Sequence, residues 1–518
     1  MFFSFLFSPH VLVALPIIYY LVPYIQNKSI RDVPGPFVAK FSNFWLLKQC
    51  RQGKRYQAVD EAHKKYGKLV RIQPHHVSVA DADAIPMIYG HGNGFLKSEY
   101  YDAFVSIQRG LFNTRDRAEH TRKRKTVAHT FSAKSIGQFE QYMHHNLYSL
   151  TKQWDRISSL ASGANGGYAD MDALHWFNYL AFDIIGDLAF GAPFGMLEKG
   201  RDEAAVQMTP DAEPTVAPAI EVLNRRGEVS GTIGCLPALK PYAKYLPDPF
   251  FRDGIAAVEN LAGIATARVS QRLSGQQQGA QDRVDLLARL MEGRDDKGET
   301  LGRAELTAEA LTQLIAGSDT TSNTSCALLF HVLTRGDEVI GRLQAELDEA
   351  LSDYGVDGKA VPDYSQVKDL PYLGAVINET LRIHSTSSLG LPRMVPPTAT
   401  NINILSHHFP PGTVLSVPSY TIHHSPEIWG SDAHLYRPER WLDGRLTEKQ
   451  KAAFIPFSVG PRACVGRNVA EMELALIVST VFRRYEFELK QDGMETREGF
   501  LRKPLGLKVG MRKRPGVA

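Results

Sequence analysis

Three groups of residues in this chain have types and spacings that could do chemistry. The first is Cys464, set in Phe457-Ser458-Val459-Gly460-Pro461-Arg462-Ala463-Cys464-Val465-Gly466. Residues 468–478 are apolar at helical spacing, so the cysteine stands near a helix N-terminus, where backbone dipoles favour a thiolate. A thiolate there could hold a metal, whereas an isolated cysteine is more often a small core hydrophobe. Its neighbours favour the metal. Glycines let the backbone pass close to a flat ligand and leave amide N–H groups free to point at sulfur, and Arg462 offers a fixed cation to a carboxylate. The second group is Ala316-Gly317-Ser318-Asp319-Thr320-Thr321, where a hydroxyl beside a carboxylate could pass protons to a bound ligand. The third is His120 and Arg124, four apart on one helical face, where both could meet a single anion.

These groups need elements to position them. Asp319 and Thr320 fall inside a helix predicted over residues 307–333, and its poor helix formers predict a local departure from regular hydrogen bonding there. Residues 56–66 read as a helix. Leu69-Val70-Arg71-Ile72 and Val77-Ser78-Val79-Ala80 read as two strands joined at Gln73-Pro74. Residues 135–300 are mostly helical in pattern, with an apolar core helix around residues 176–185. The Pro- and Ala-rich residues 209–219 break it, as either a lid over a pocket or a surface connection. Glycines and aromatics crowd residues 90–114 and could line a pocket. Glu379 and Arg382, three apart on a helix, would alone be an ordinary surface pair.

The 518 residues suffice for a large core, and no repeat or long low-complexity run divides them. One catalytic domain is expected over residues 28–518, with the polar stretch at 276–283 a loop. A net charge of +3 points to neither nucleic acid nor an acidic substrate. The four scattered cysteines show no metal or disulfide spacing and fit a reducing compartment. Residues 2–27 contain no Asp, Glu, Lys or Arg, long enough to span a bilayer as a helix. There is no basic n-region and no small-residue cleavage site, so a retained anchor over residues 1–27 is expected, although Pro9, Pro16 and Pro23 interrupt it. Lys28 and Arg31 place the bulk of the protein on the cytoplasmic side. With such an anchor, the basic run at residues 115–125 is no nuclear signal.

The decapeptide around Cys464 resembles the haem-ligand loop of cytochromes P-450, and the other motifs follow in that family's order. His120 and Arg124 match its propionate pair, with His120 in place of the commoner Trp. The hexapeptide at 316–321 looks like its oxygen groove. Leu391-Pro392-Arg393 resembles the strand whose Arg reaches the second propionate, and Glu379, Arg382 and Arg440 match its structural Glu-Arg-Arg network, with Trp441 where Phe is more usual. The resemblance implies the family's mainly α fold with small β-sheets, preceded by the transmembrane helix. It implies haem b held by Cys464, with Phe457, His120, Arg124, Arg393 and Arg462 binding the cofactor and Asp319 and Thr320 delivering protons. Electrons would come from NADPH through a cytochrome P-450 reductase in the endoplasmic reticulum membrane, and Arg122, Lys123 and Lys125 would be free to meet an acidic redox partner.

Outside these motifs, Glu61-Ala62-His63-Lys64-Lys65-Tyr66-Gly67-Lys68, the stretch from Gly90 to Phe104 and Gly110-Leu111-Phe112-Asn113-Thr114-Arg115-Asp116 resemble the fungal benzoate 4-monooxygenases. That likeness implies insertion of one atom of dioxygen para to a carboxylate. Burying the carboxylate requires donors, for which Tyr100, Tyr101, Arg109, Ser387 and Ser388 are candidates. Three other readings stay open: a monooxygenase of another aromatic or hydrophobic molecule, an isomerase or dehydratase that never uses dioxygen, and a non-enzymatic haem sensor or carrier. Retained Asp319 and Thr320 speak against the isomerase.

Overall fold

The computed structural model describes residues 17, 18, 21–161, 167–274, 285–295, 297–352, 360–399, 402–442 and 444–515. The helices that position the site are, in chain order, α1 (Arg55–Tyr66), α2 (Arg117–Ala128), α3 (Glu140–Leu160), α4 (Ala173–Phe190), α5 (Ala219–Ile233), α6 (Pro249–Leu273), α7 (Arg303–Arg335), α8 (Asp337–Ala350), α9 (Pro371–Ile383) and α10 (Arg467–Arg484). Local chemistry sets several of their ends. Asp116, Asp172 and Asp248 accept first-turn N–H groups of α2, α4 and α6, and α4 stops at Gly191, whose φ of 82° suits glycine.

The long helix α7 differs from its sequence expectation. It is α-helical throughout, with no break at residues 316–321. The hydroxyls of Ser318 and Thr320 donate to the carbonyls of Leu314 and Ala316, each at 2.7 Å, so these polar side chains are satisfied without disturbing the ladder. Gly317 has a packing reason: a Cβ there would lie 2.5 Å from Ile185 Cδ1 on α4. Around α7 the core gathers Leu147 of α3, Leu180 of α4, Leu314, Val376 of α9 and Leu476 of α10, all buried.

The sheets are small. In chain order the strands are β1 (Leu69–Gln73), β2 (His76–Val79), β3 (Leu96–Lys97), β4 (Ala169–Asp172), β5 (Arg393–Met394), β6 (Val414–Ser416), β7 (Tyr485–Leu489), β8 (Thr496–Glu498), β9 (Arg502–Pro504) and β10 (Lys508–Lys513). One sheet runs β1-β2-β6-β5-β3, another β7-β10-β4, and β8 pairs with β9 alone. The predicted hairpin at residues 69–80 is present as antiparallel β1 and β2, with boundaries within a residue. Residues 204–206 and 215–217 form a further hairpin. It packs on α6, where the Gln207 amide donates to Gly263 O at 3.0 Å. The segment at 209–219 is therefore a surface connection and does not line the central cavity. The apolar run expected as an anchor lies largely outside the described residues, as does the stretch at 276–283. Among the described residues no helix is long and apolar enough to cross a membrane.

A buried carboxylate ties α9 to the segment that precedes the cysteine loop. Glu379 receives Arg382 at 2.7 and 2.9 Å, Arg440 Nε at 2.9 Å, the Trp441 indole N–H at 2.9 Å and the Arg437 amide at 2.8 Å. Arg382 also donates to the carbonyls of His423, Ala433 and Leu435. Removing the carboxylate strands two buried guanidinium groups, a change that typically costs ~3–5 kcal/mol. Glu379→Ala should therefore destabilise by that order in urea unfolding. Glu221→Ala, which opens the exposed pair with Arg225, should shift stability by less than ~1 kcal/mol.

Candidate active site

The loop before α10 places Cys464 on the wall of a cavity of about 310 Å³. Its turns demand particular residues. Gly460 has φ +73°, and a Cβ there would fall 1.9 Å from the Tyr89 carbonyl oxygen, so only glycine fits. The Cys464 amide donates to Phe457 O at 2.9 Å, closing the loop. Arg124 of α2 donates to Ala463 O at 2.6 Å, and Arg462 donates to Thr114 O at 2.9 Å, which staples the loop to the start of α2. Cys50, Cys235 and Cys326 are buried, while Cys464 is open to the cavity. Burial raises its thiol, and this outweighs the Gly466 amide and the Arg124 and Arg467 cations that act the other way. A cation bound to sulfur would favour the thiolate.

Around the cavity, cations converge with no counter-ion among the described residues. Lys97, Arg393 and Arg462 all line the cavity. Lys97 and Arg393 are directly paired in the β3–β5 register, an arrangement of like charges that is unfavourable by itself. Lys97 donates to Phe112 O, and Arg393 to Tyr101 Oη at 2.9 Å. Burial, with Arg393 and Arg462 beside it, holds the Lys97 amine well below its usual range. Burial and Arg393 bring Arg462 down to about 10. His120 is pushed down to about 3 by burial, then by Arg462, Lys97, Arg124 and Arg393. Sequence reading missed Lys97. The signal available was a lysine two residues after Phe95, inside an aromatic segment with no acidic neighbour before Glu99.

On the α7 side, Thr320 lines the cavity but Asp319 does not. The Asp319 carboxylate faces the other way, ion-paired with Lys503 of β9 at 2.7 Å and accepting from Asn323 at 3.1 Å. A second acid, which sequence reading also missed, does reach the cavity. Glu473 of α10 lines it and accepts from Thr321 Oγ1 at 3.0 Å, while its Oε1 has no partner. Burial pushes this carboxyl up to about 8, so at neutral pH it holds a proton.

Comparison with known proteins fixes the family. The family model described as Cytochrome P450 matches residues 34–511. The chain belongs to the cytochrome P450 family. Its relatives include the Aspergillus niger protein named benzoate 4-monooxygenase bphA, 66% identical over 507 residues, which cover 98% of this chain and 97% of that one. A cytochrome P450 monooxygenase of Aspergillus terreus is 29% identical over 492 residues, covering 92% and 95%. The cytochrome P450 monooxygenase esdpH of Penicillium shearii is 28% identical over 499 residues, covering 95% and 95%.

A cytochrome P450 monooxygenase uses haem iron, dioxygen, a substrate and a redox partner, and the cavity suits the haem. Cys464 opens onto the cavity, where its sulfur could meet a metal cation, and Lys97 and Arg393, which have no carboxylate partner among the described residues, need anions, which haem propionates would supply. The surface expected to meet the redox partner is smaller than the sequence suggested. Lys123 is buried and paired with Glu309 at 3.1 Å, and Arg122 is paired with Glu305 at 2.7 Å, leaving Lys125 exposed.

The structure also sorts the candidate carboxylate donors. Tyr101 and Ser387 line the cavity, whereas Tyr100, Arg109 and Ser388 do not. Arg109 is consumed by Asp102 at 2.7 Å, and Ser388 donates to Ser385 O at 2.5 Å. Residues the sequence did not single out complete the walls: Phe500 and Leu501 between β8 and β9, Ile185 and Leu188 of α4, and Thr312 and Gln313 of α7.

The Glu473 carboxyl gives a pH signature. Between its ordinary value and about 8 the folded protein keeps a proton that the unfolded chain has lost, so this group's contribution to stability falls as pH rises through that window. Glu473→Gln lacks the titration. The unfolding midpoint of the variant should rise relative to the parent between pH 5 and pH 8, and parallel profiles would show that Glu473 is not held protonated.

Proposed function

We propose that this chain hydroxylates benzoate at the ring carbon opposite the carboxylate, giving 4-hydroxybenzoate. The observation that carries this reading is the likeness to the Aspergillus niger benzoate 4-monooxygenase, which extends over nearly the whole of both chains. The balance is one benzoate, one dioxygen, two electrons and two protons to one hydroxybenzoate and one water. Electrons come from NADPH through a reductase, in the endoplasmic reticulum membrane, with residues 1–27 as anchor and the catalytic domain facing the cytoplasm.

In this proposal Cys464 would hold haem b through its sulfur, and the group would supply the activation of dioxygen. His120, Arg124, Arg393 and Arg462 hold the propionates, joined by Lys97, while Phe457 packs beside the sulfur. Thr320 lines the cavity with its hydroxyl bonded to Ala316 O, and Asp319 would have to leave Lys503 to deliver protons there. The aliphatic and aromatic walls exclude bulk water from the reacting ring.

Tyr101 is the favoured carboxylate donor. Its oxygen accepts from Arg393, which leaves the phenolic proton free for a substrate oxygen. Ser387 lies on the same cavity wall set, and its hydroxyl enters none of the described hydrogen bonds. A second reading, a monooxygenase of another aromatic molecule in the same cavity, shares every residue but these two.

Benzoate added to the haem-loaded protein should produce the spectral shift of displaced axial water, and turnover with reductase and NADPH should yield 4-hydroxybenzoate. Neither shift nor product would leave only the general monooxygenase. For the anchor, Tyr101→Phe should weaken benzoate binding roughly tenfold or more, the worth of a hydrogen bond to a charged group. Binding of benzamide should change little, and equal losses for both would remove Tyr101 from this role.

A further inference from the structure

The strands that carry Lys97 and Arg393 toward the central cavity have a second face. Successive side chains alternate along β5, so Pro392 and Met394 point away from Arg393, and the turn of 3-10 helix at Glu99–Phe104 parts Tyr100 from Tyr101 in the same sense. These outward residues line a separate cavity of about 260 Å³, closed by Pro237, Val414 and Arg55. At roughly 30 Å³ per water molecule, that is room for a small organic ligand.

Two buried polar groups on its wall are unmet. Arg55, the first residue of α1, is 3% exposed, and its Nη1 has no hydrogen-bond partner. Tyr100 is 6% exposed, and its hydroxyl has none either. The guanidinium lies over the Tyr100 ring, 5.3 Å from its centroid, so cation and hydroxyl belong to one cluster. Two further polar liners are already bonded: His76 meets Gln73 at 3.1 Å and Ser416 at 2.8 Å, and Gln73 donates to Asn43 Oδ1 at 3.0 Å and Cys235 O at 2.8 Å.

Among the described residues no carboxylate lies within ion-pair distance of Arg55. Glu498 stands behind it, too far for an ion pair, accepting the Tyr56 amide at 2.8 Å. Burial holds that carboxyl up at about 7 in spite of Arg55, so it is an incomplete counter-charge. Glu99 is exposed at the cavity edge. A buried guanidinium without partners is costly, and a planar oxyanion is the group whose geometry its fork matches. One guanidinium balances one charge, which favours a monocarboxylate over a phosphate dianion, and Leu236, Pro237, Met394 and Val414 offer an apolar surface to the rest of the ligand.

We propose that this second cavity binds a small monocarboxylate through Arg55 and Tyr100, on the opposite face of the wall that carries Lys97, Tyr101 and Arg393. The site is read from its own unmet donors and does not rest on the benzoate assignment. Its occupant presses on the strands that shape the central cavity, so the two sites are coupled through β3 and β5.

The test uses the full-length, haem-loaded protein with 4-fluorobenzoate as probe, counted by equilibrium dialysis while the haem spectrum is followed. Two equivalents per haem are expected, with only one tracking the spectral shift. Arg55→Gln should keep the shift and bind one equivalent, and Tyr100→Phe should weaken the silent equivalent about tenfold. A single equivalent in the parent protein would mean that the cavity holds water only, and a silent equivalent unchanged in both variants would place it elsewhere; either overturns the proposal. Displacement of the silent equivalent by equimolar inorganic phosphate would also overturn the monocarboxylate assignment. Should Arg55→Gln fail to take up haem, Tyr100→Phe decides alone, because it deletes an oxygen that makes no hydrogen bond in the protein. If no spectral shift occurs but an Arg55-dependent equivalent binds, the benzoate reading fails while this site stands.

Discussion

The arrangement around Cys464 depends on a carboxylate that never meets the reacting atoms. Glu379 gathers five N–H donors from α9 and from residues 437–441, and Arg382 extends the cluster to three backbone carbonyls. Each charge is buried, so each is tolerable only while the others stay in place. Residues 437–441 lead by a short chain to the cysteine loop, and the loop is pinned in turn by Arg124 and Arg462. The position of one sulfur is thus set by ion pairs and carbonyl contacts spread over more than three hundred residues of sequence.

The cavity itself is built on an unresolved electrostatic demand. Lys97 and Arg393 oppose each other across two-residue strands, with Arg462 beside them, and the chain supplies them only neutral oxygens. A protein that buried these cations for packing alone would be less stable than one with apolar residues there. Their presence makes sense when an anionic cofactor completes the fold, so binding of haem and stability of this half of the molecule are linked.

Much of this was legible in the sequence, and the legible part has a common physical basis. The Gly460 turn, the β1–β2 hairpin and the core helix α4 rest on local spacing, which folding preserves. What sequence reading could not place depends on direction. Asp319 and Thr320 are adjacent, yet a helix turns each residue by a fixed angle, so the hydroxyl enters the cavity and the carboxylate meets Lys503. Tyr100 and Tyr101 part company across their wall for the same kind of reason. The hidden partners, Lys503, Phe500 and Glu473, come from the C-terminal hairpin and from α10, and no local pattern announces contacts made over such separations. Arg122 and Lys123 look like a solvated basic face until acidic residues at the start of α7 take them up.

The same directional logic gives the thin sheet β3–β5 more than a structural duty. Its inward face turns Lys97 and Arg393 to the central cavity beside Tyr101, while its outward face meets the buried donors Arg55 and Tyr100. Strands of two residues have few ladder hydrogen bonds to resist displacement, so charge on either face is felt on the other. Filling the outer cavity with an anion would draw Tyr100 outward and move Tyr101 with it, since the two are adjacent and pack edge to face at 5.6 Å. The hydroxyl that Arg393 orients is therefore the element through which outer occupancy would reach the reacting ring, and a neutral outer ligand would lack the charge to produce that pull.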